Sequence, residues 1–130
     1  MIIKEIDFDN IIMEKTPYEG IYVSSLDEEN PSIPKVTAHV VRIDPNCKIE
    51  LHYHEREDDW TEIIIFPFGG NFEILIGIDN SRSFSGKKAV YARVNSKEIY
   101  GIINRDSDKP LFLLSIMKPG FLGYKEIKSL

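Results

Sequence analysis

Two of the three histidines of the chain stand two residues apart, as His52 and His54, in the segment Lys48–His54. Residues two apart in a β-strand point to the same face, so a strand here would project both imidazoles together, with Ile49 facing away. Two neutral imidazoles on one face can take adjacent positions on a transition metal. A carboxylate then completes a facial ligand set that leaves positions open for substrate or oxygen. The spacing therefore predicts a metal site that needs a carboxylate from a neighbouring strand.

Glu62 is the candidate for that carboxylate. It stands at the head of the run Glu62–Phe66, whose other residues are all apolar. We interpret Glu62 as the third ligand. The alternative is an exposed carboxylate at the end of a strand.

The elements that must position these residues are short apolar runs separated by turn-forming residues. Runs rich in Ile, Val, Phe and Tyr suit half-buried strands, and clusters of Gly, Pro, Asn and Asp suit turns. We predict a turn at Asp79–Ser81 and a loop over the polar, proline-containing tract Leu26–Pro34. The predicted strands are Ile2–Ile6, Gly20–Ser24, Lys35–Ile43, Lys48–His54, Glu62–Phe66, Phe72–Ile78, Lys87–Arg93, Glu98–Ile103 and Leu111–Met117. Many short strands without helices between them predict an all-β sandwich or barrel.

Length and charge narrow the class of protein. A chain of 130 residues is the usual size of one domain. The net charge of -5 disfavours nucleic acid or an anionic membrane as partner. The start of the chain has no signal-peptide pattern, and no segment approaches the roughly 20 apolar residues of a membrane span. Cys47 is the single cysteine, which excludes an intrachain disulfide. These features predict a soluble cytoplasmic protein.

The histidine pair and Glu62 resemble the first motif of the cupin family, in which a His-x-His is followed by a glutamate, six residues and a glycine. Six residues separate Glu62 from Gly69 here, so this half of the motif matches. The resemblance implies a single cupin domain over residues 1–130, folded as an antiparallel β-barrel or jelly roll with its core at about residues 35–119. It also implies a divalent transition metal (Fe, Mn, Ni or Zn) bound by His52, His54 and Glu62.

The loop of the first motif departs from the family pattern. Seven residues separate His54 from Glu62, where the family usually has three or four. Asp58 or Asp59 would fit the usual count better. The spacing to Gly69 favours Glu62, because a longer loop at a barrel mouth is tolerated more readily than a shifted strand.

The second motif departs further. Its asparagine is present as Asn104, but Tyr100 stands at the position of its histidine. A phenol is a poor metal ligand, whereas a phenolate on ferric iron is a good one. Alternatively, Tyr100 fills space and hydrogen-bonds a ligand or water. Glu98 lies on the same face and is a further candidate for reaching the site.

Two other residues have competing interpretations. His39, among Ala38, Val40 and Val41, is either a structural residue or a group that lines the cavity. Trp60 lies in the longer loop, where an aromatic ring can stack on a ligand or anchor the packing.

Three functions remain open. The protein is a metal-dependent dioxygenase, isomerase or lyase with Tyr100 as an acid–base group; or it is a small-molecule or sugar-binding module that has lost strong metal affinity; or it is a metal-free isomerase that uses a histidine and Tyr100. The resemblance also implies a homodimer, since cupins commonly pair by strand exchange at the barrel edge, which protects edge strands.

Overall fold

The computed structural model describes Met1, residues 3–27 and residues 35–130. In those parts of the chain it contains eleven β-strands and one short 3-10 helix, without any α-helix. The strands are β1 (Glu14–Lys15), β2 (Ile21–Ser25), β3 (Thr37–Ile43), β4 (Lys48–His54), β5 (Thr61–Phe66), β6 (Phe72–Ile76), β7 (Asn80–Phe84), β8 (Val90–Asn95), β9 (Tyr100–Asn104), β10 (Leu111–Lys118) and β11 (Ile127–Ser129). The 3-10 helix is Tyr124–Glu126.

The strands form two antiparallel sheets. The six-stranded sheet has the order β1-β2-β3-β10-β5-β8, and the five-stranded sheet has the order β11-β4-β9-β6-β7. Burial alternates along β5: Glu62, Ile64 and Phe66 are buried, while the residues between them are only half-buried. The predicted all-β class is therefore confirmed. The sheets also include β1, β2 and β11, which lie outside the core predicted at residues 35–119.

The apolar core lies between the sheets. Phe66 of one sheet stacks on Phe72 of the other, with ring centroids 4.4 Å apart, and Phe72 stacks in turn on Phe84 at 5.0 Å. Phe66 and Phe72 are both fully buried. Aromatic pairs of this kind add to the stabilisation that comes from burying their surface.

Several parts of the strand prediction are wrong, and the short strands β1 and β11 were not predicted. Residues 3–6 form no strand, and Ile3 is 82% exposed; Ile2 lies outside the described residues. The predicted turn at Asp79–Ser81 is displaced, since the turn covers residues 77–79, where Gly77 has a positive φ of 63°. Asn80 already pairs with Ile76 in a hairpin. The strand β7 was missed because it is a polar edge strand without hydrophobic alternation.

The loop predicted over Leu26–Pro34 lies mostly outside the described residues, which exclude residues 28–34.

The glycine and the asparagine of the cupin-like motifs have structural roles. A Cβ atom on Gly69 would lie 2.0 Å from the carbonyl oxygen of Gly86, so only glycine fits this close approach of two backbones. Asn104 is buried, and its Nδ2 donates hydrogen bonds to the carbonyl oxygens of Ile43 (3.0 Å) and Lys109 (2.9 Å). These two residues hold loops at the end of the barrel away from the histidine pair.

Candidate functional site

The histidine pair lies on β4 and points between the two sheets. His52 is 4% and His54 is 2% exposed, and their ring centroids are 5.3 Å apart. The register between β4 and β9 shifts between Ile49 and His52, as in a β-bulge. The shift breaks the alternation, so Ile49 lines the same cavity as the histidines instead of facing away from it.

In both imidazoles, Nδ1 lies within hydrogen-bond distance of an acceptor oxygen. Nδ1 of His52 lies 2.7 Å from the carbonyl oxygen of Glu50, and Nδ1 of His54 lies 2.8 Å from Oε2 of Glu126. A carbonyl oxygen and a carboxylate accept hydrogen bonds, so we assign the proton of each neutral ring to Nδ1. The lone pair of each Nε2 is then free to bind a ligand or a metal.

His52 is neutral near pH 7. Burial lowers the pKa of His52 to about 4; the hydrogen bond to the Glu50 carbonyl opposes this shift, and nearby His54 adds to it. A neutral imidazole is the form that binds metals.

Glu62 reaches the histidines from the opposite sheet. Its Oε1 accepts a hydrogen bond from the hydroxyl of Tyr100, and its Oε2 accepts one from Oγ of Ser115, both at 2.5 Å. The same Oε1 lies 3.8 Å from Nε2 of His54. Glu62 is 3% exposed, and two short hydrogen bonds satisfy its carboxylate inside the barrel.

Tyr100 joins the two halves of the site. It pairs directly opposite His52 across β4 and β9, with ring centroids 4.3 Å apart, and its hydroxyl lies 3.4 Å from Nε2 of His54. Burial, together with the nearby carboxylate of Glu62, raises the pKa of Tyr100 well above its ordinary value. Tyr100 is therefore a protonated phenol that donates to Glu62, an arrangement that favours the hydrogen-bonding interpretation over the phenolate.

The fit of a metal to this site is partial. Nothing among the described residues forms a ready-made cluster of three His, Cys, Asp or Glu side chains around one point. The chemistry of the donors does suit a divalent transition metal, since two imidazoles can offer Nε2 and a carboxylate lies beside them. For Glu62 to act as a ligand, its Oε1 must exchange the Tyr100 hydroxyl for the metal.

The other candidate residues have different surroundings. Asp58 and Asp59 are exposed in the loop before β5. Glu98 is exposed and accepts a hydrogen bond from the backbone N–H of Asn95 at 2.8 Å. His39 lines the cavity and packs edge-on against Phe121, with ring centroids 5.9 Å apart.

Trp60 is a packing anchor. Its side chain is 1% exposed and stacks on His54, with ring centroids 4.7 Å apart and an interplanar angle of 24°. Its buried Nε1–H has no hydrogen-bond partner among the residues that the structure describes.

Two residues at the site were not found by sequence reasoning. Ser115 had a local signal, since it is the one hydroxyl in the apolar strand Leu111–Met117. Glu126 had none, because it lies 72 residues from His54 in a C-terminal segment without hydrophobic alternation. Burial raises the pKa of Glu126, but hydrogen bonds from His54 and the Leu122 N–H, with the charge of Arg56, outweigh burial and lower it overall.

The polar end of a cavity of about 730 Å³ is formed by His52, His54, Glu62, Tyr100 and Ser115. The remaining walls are mostly apolar, and aromatic rings cluster at one side: Tyr124 packs edge-on against both Tyr18 (6.0 Å) and Phe121 (5.4 Å). The apolar wall includes Ile21, Val23, Val41, Ile49, Ile64, Ile102, Leu113 and Met117. The volume is within the range of small-molecule sites, which are typically about 300–1,000 Å³.

No protein-family model matches the chain, and no curated protein matches it. Solved structures do resemble it. KdgF from Halomonas sp. is 19% identical with a TM-score of 0.61, and the match covers 87% of this chain and 92% of that one. The polyketide cyclase RemF from Streptomyces resistomycificus is 12% identical with a TM-score of 0.68, over 99% of this chain and 86% of that one.

A third structure is an uncharacterized conserved protein with a double-stranded β-helix domain from Klebsiella pneumoniae subsp. pneumoniae. It is 18% identical with a TM-score of 0.61, over 84% of this chain and 85% of that one. At these identities the likeness is one of fold. The chain has the cupin fold, a double-stranded β-helix, and the resemblance to cupins is confirmed at that level.

Within the described residues, no helix is both long and apolar enough to cross a membrane.

Proposed function

We propose that this protein binds a small metabolite in its barrel and holds a divalent transition metal (Fe, Mn, Ni or Zn) with His52, His54 and Glu62. The observation that carries the proposal is the arrangement of the imidazoles. Both Nδ1 atoms are held by acceptors, so both Nε2 lone pairs are available beside one carboxylate. Metal-ligating histidines are held in this way by acceptors on their other nitrogen.

The cavity indicates the ligand. Its apolar walls and aromatic side favour a largely apolar molecule, and the polar end favours one oxygen-bearing group that reaches the imidazoles. A bound divalent ion would supply Lewis acidity at that group or a site for oxygen. The protein's own contribution is to orient the ligand and keep water from most of its surface.

Tyr100 is the candidate catalytic residue. Its raised pKa keeps the proton on the hydroxyl, so it can donate a hydrogen bond to an oxygen of the ligand and stabilise negative charge that develops there, rather than bind the metal as an anion. The likeness to RemF, which its name describes as a polyketide cyclase, supports an enzyme that acts on a small molecule.

A second candidate function is a metal-free binding module or isomerase. The observation that favours it is the short pair of hydrogen bonds from Tyr100 and Ser115 to Glu62. They satisfy both oxygens of the buried carboxylate without a metal.

Metal content decides between the two. We expect protein purified without chelator to hold about one transition metal per chain by elemental analysis, and His52→Ala and Glu62→Gln to lose it. His39→Ala is the matched control, because His39 lines the same cavity but packs on Phe121. Wild-type protein that contains no metal and binds no added Fe, Mn, Ni or Zn would establish the metal-free candidate. A thermal-shift screen of small molecules would then identify its ligand.

We also propose a homodimer. Ile3 and Ile12 of the N-terminal segment are 82% and 86% exposed, and β7 and β8 are sheet edges, which proteins usually cover. Light scattering at micromolar concentration tests this: a mass of one chain would contradict it.

A further inference from the structure

Three side chains form a cluster beside His54: Trp60 and Glu126 contact its ring, and Arg56 contacts both of them. We call them the His54 clamp. Trp60 lies against one face of the imidazole ring at 4.7 Å, and Glu126 Oε2 lies 2.8 Å from its Nδ1. Arg56 contacts the other two, because its Nη1 donates to Glu126 Oε1 at 3.0 Å and its guanidinium lies 5.8 Å from the centre of the Trp60 ring.

The carboxylate of Glu126 is locked in one orientation. Its Oε1 accepts hydrogen bonds from two donors, Arg56 Nη1 and the backbone N–H of Leu122 at 2.9 Å. The same Arg56 nitrogen also donates to the carbonyl oxygen of Gly120 at 2.8 Å, which holds the C-terminal segment in place. With Oε1 satisfied by these donors, Oε2 is the oxygen left for His54.

The clamp gives the long loop between β4 and β5 a role. Seven residues separate His54 from Glu62, and the six of them that form this loop, residues 55–60, include both Arg56 and Trp60. A loop of three or four residues has no room for the arginine, the tryptophan and the turn between them.

We propose that Glu126 is a positioning residue that fixes His54 in the Nδ1–H tautomer, with its Nε2 lone pair facing the cavity, and that Arg56 in turn sets the orientation of Glu126. The effect on ligand and metal binding depends on the proposed function, whereas the tautomer is a property of the chain alone. This makes the two separable by experiment.

The near-isosteric change Glu126→Gln gives the sharpest test. Two donors, Arg56 and the Leu122 N–H, face the position of Glu126 Oε1, so the amide oxygen of the glutamine will take that position. The amide N–H₂ then faces His54 Nδ1, which must become the acceptor. We expect His54 to move its proton to Nε2 in this variant.

The measurement is two-dimensional ¹H–¹⁵N NMR of the histidine rings, which distinguishes protonated from unprotonated ring nitrogens. We expect wild-type His54 to carry its proton on Nδ1 and Glu126→Gln to carry it on Nε2. Glu55→Gln is the matched control, since Glu55 is exposed and pairs with Lys128 on the neighbouring strand, and it should leave His54 unchanged. Wild-type protein with the proton on Nε2, or Glu126→Gln with unchanged ring signals, overturns the proposal.

The Zn²⁺ affinity of each variant, measured by titration with Zn²⁺ alone, is the second test. A protonated Nε2 cannot bind the ion, so Glu126→Gln should lose about 10- to 100-fold in Zn²⁺ affinity, the usual effect of removing a partner of a metal-bound histidine. Glu55→Gln should bind as the wild type does. If wild-type protein binds no Zn²⁺, the metal part of the proposed function fails, while the NMR result still decides the role of Glu126.

Discussion

Replacing Tyr100 with phenylalanine removes one hydroxyl and leaves in place a ring that packs 4.3 Å from His52. The hydroxyl donates to Oε1 of Glu62 at 2.5 Å in a buried site. A hydrogen bond to a charged group contributes about 1.5–3 kcal/mol. The metal-free variant should therefore be about 2 kcal/mol less stable than wild type.

The same hydrogen bond opposes metal binding, because Glu62 Oε1 must give it up to become a ligand. Removing the hydroxyl lifts that cost of about 1.5–3 kcal/mol, and each 1.4 kcal/mol is a factor of ten in affinity. We therefore expect Tyr100→Phe to bind Zn²⁺ about ten- to a hundredfold more tightly than wild type. The two effects have opposite signs, which separates them from a general loss of structure.

Urea denaturation of chelator-treated protein measures the first effect, and calorimetric titration with Zn²⁺ measures the second. Tyr91→Phe is the control, since Tyr91 is 61% exposed on β8 and should change neither quantity. A fall in Zn²⁺ affinity in Tyr100→Phe would refute this reasoning, because it would make the tyrosine oxygen a ligand of the metal instead of a competitor for Glu62.

Three further outcomes follow from the structure. His52 has a pKa of about 4 in the folded chain and 6.5 ordinarily, so between these pH values only the unfolded chain binds the proton. The free energy of unfolding of chelator-treated protein should therefore fall by up to about 3 kcal/mol between pH 7 and pH 4, as measured by urea denaturation. The fall should be smaller in His52→Gln. Equal falls in the two proteins would contradict the lowered pKa of His52. Gly69→Ala should destabilise the fold by about 3 kcal/mol or more in thermal unfolding, because its Cβ would meet the Gly86 carbonyl. Gly70→Ala, with its nearest atom at 3.8 Å, should be close to neutral, and similar losses in both would contradict the close approach. Asn104→Ala leaves several buried carbonyl oxygens without their donor, so it should lower the free energy of unfolding, measured by urea denaturation, by about 2–4 kcal/mol. A decrease below about 1 kcal/mol would contradict this and show that water replaces the amide.

Much of the fold was readable from the sequence because the apolar runs and turn residues that mark strands are local patterns. Runs of apolar and β-branched residues marked β2 to β6 and β8 to β10, and Gly69 stands where two backbones approach too closely for a side chain. The N-terminal run was misread, because an apolar segment becomes a strand only where a partner strand is available to it. The edge strand β7 was missed for the converse reason: its pairing with β6, and not its own polar side chains, makes it a strand.

At the candidate site, the sequence by itself determined that His52 and His54 share a face, because the two-residue period of a strand needs no knowledge of its neighbours. Their neighbours were decided by the tertiary structure. Glu62 lies beside His54 from the opposite sheet, Ser115 and Tyr100 donate hydrogen bonds to Glu62, and Glu126 from the C-terminal segment hydrogen-bonds His54. Sheet packing and the path of the C-terminal segment set these contacts. The hydrogen bonds join residues 38 to 72 positions apart, a range at which no local pattern specifies which side chains meet.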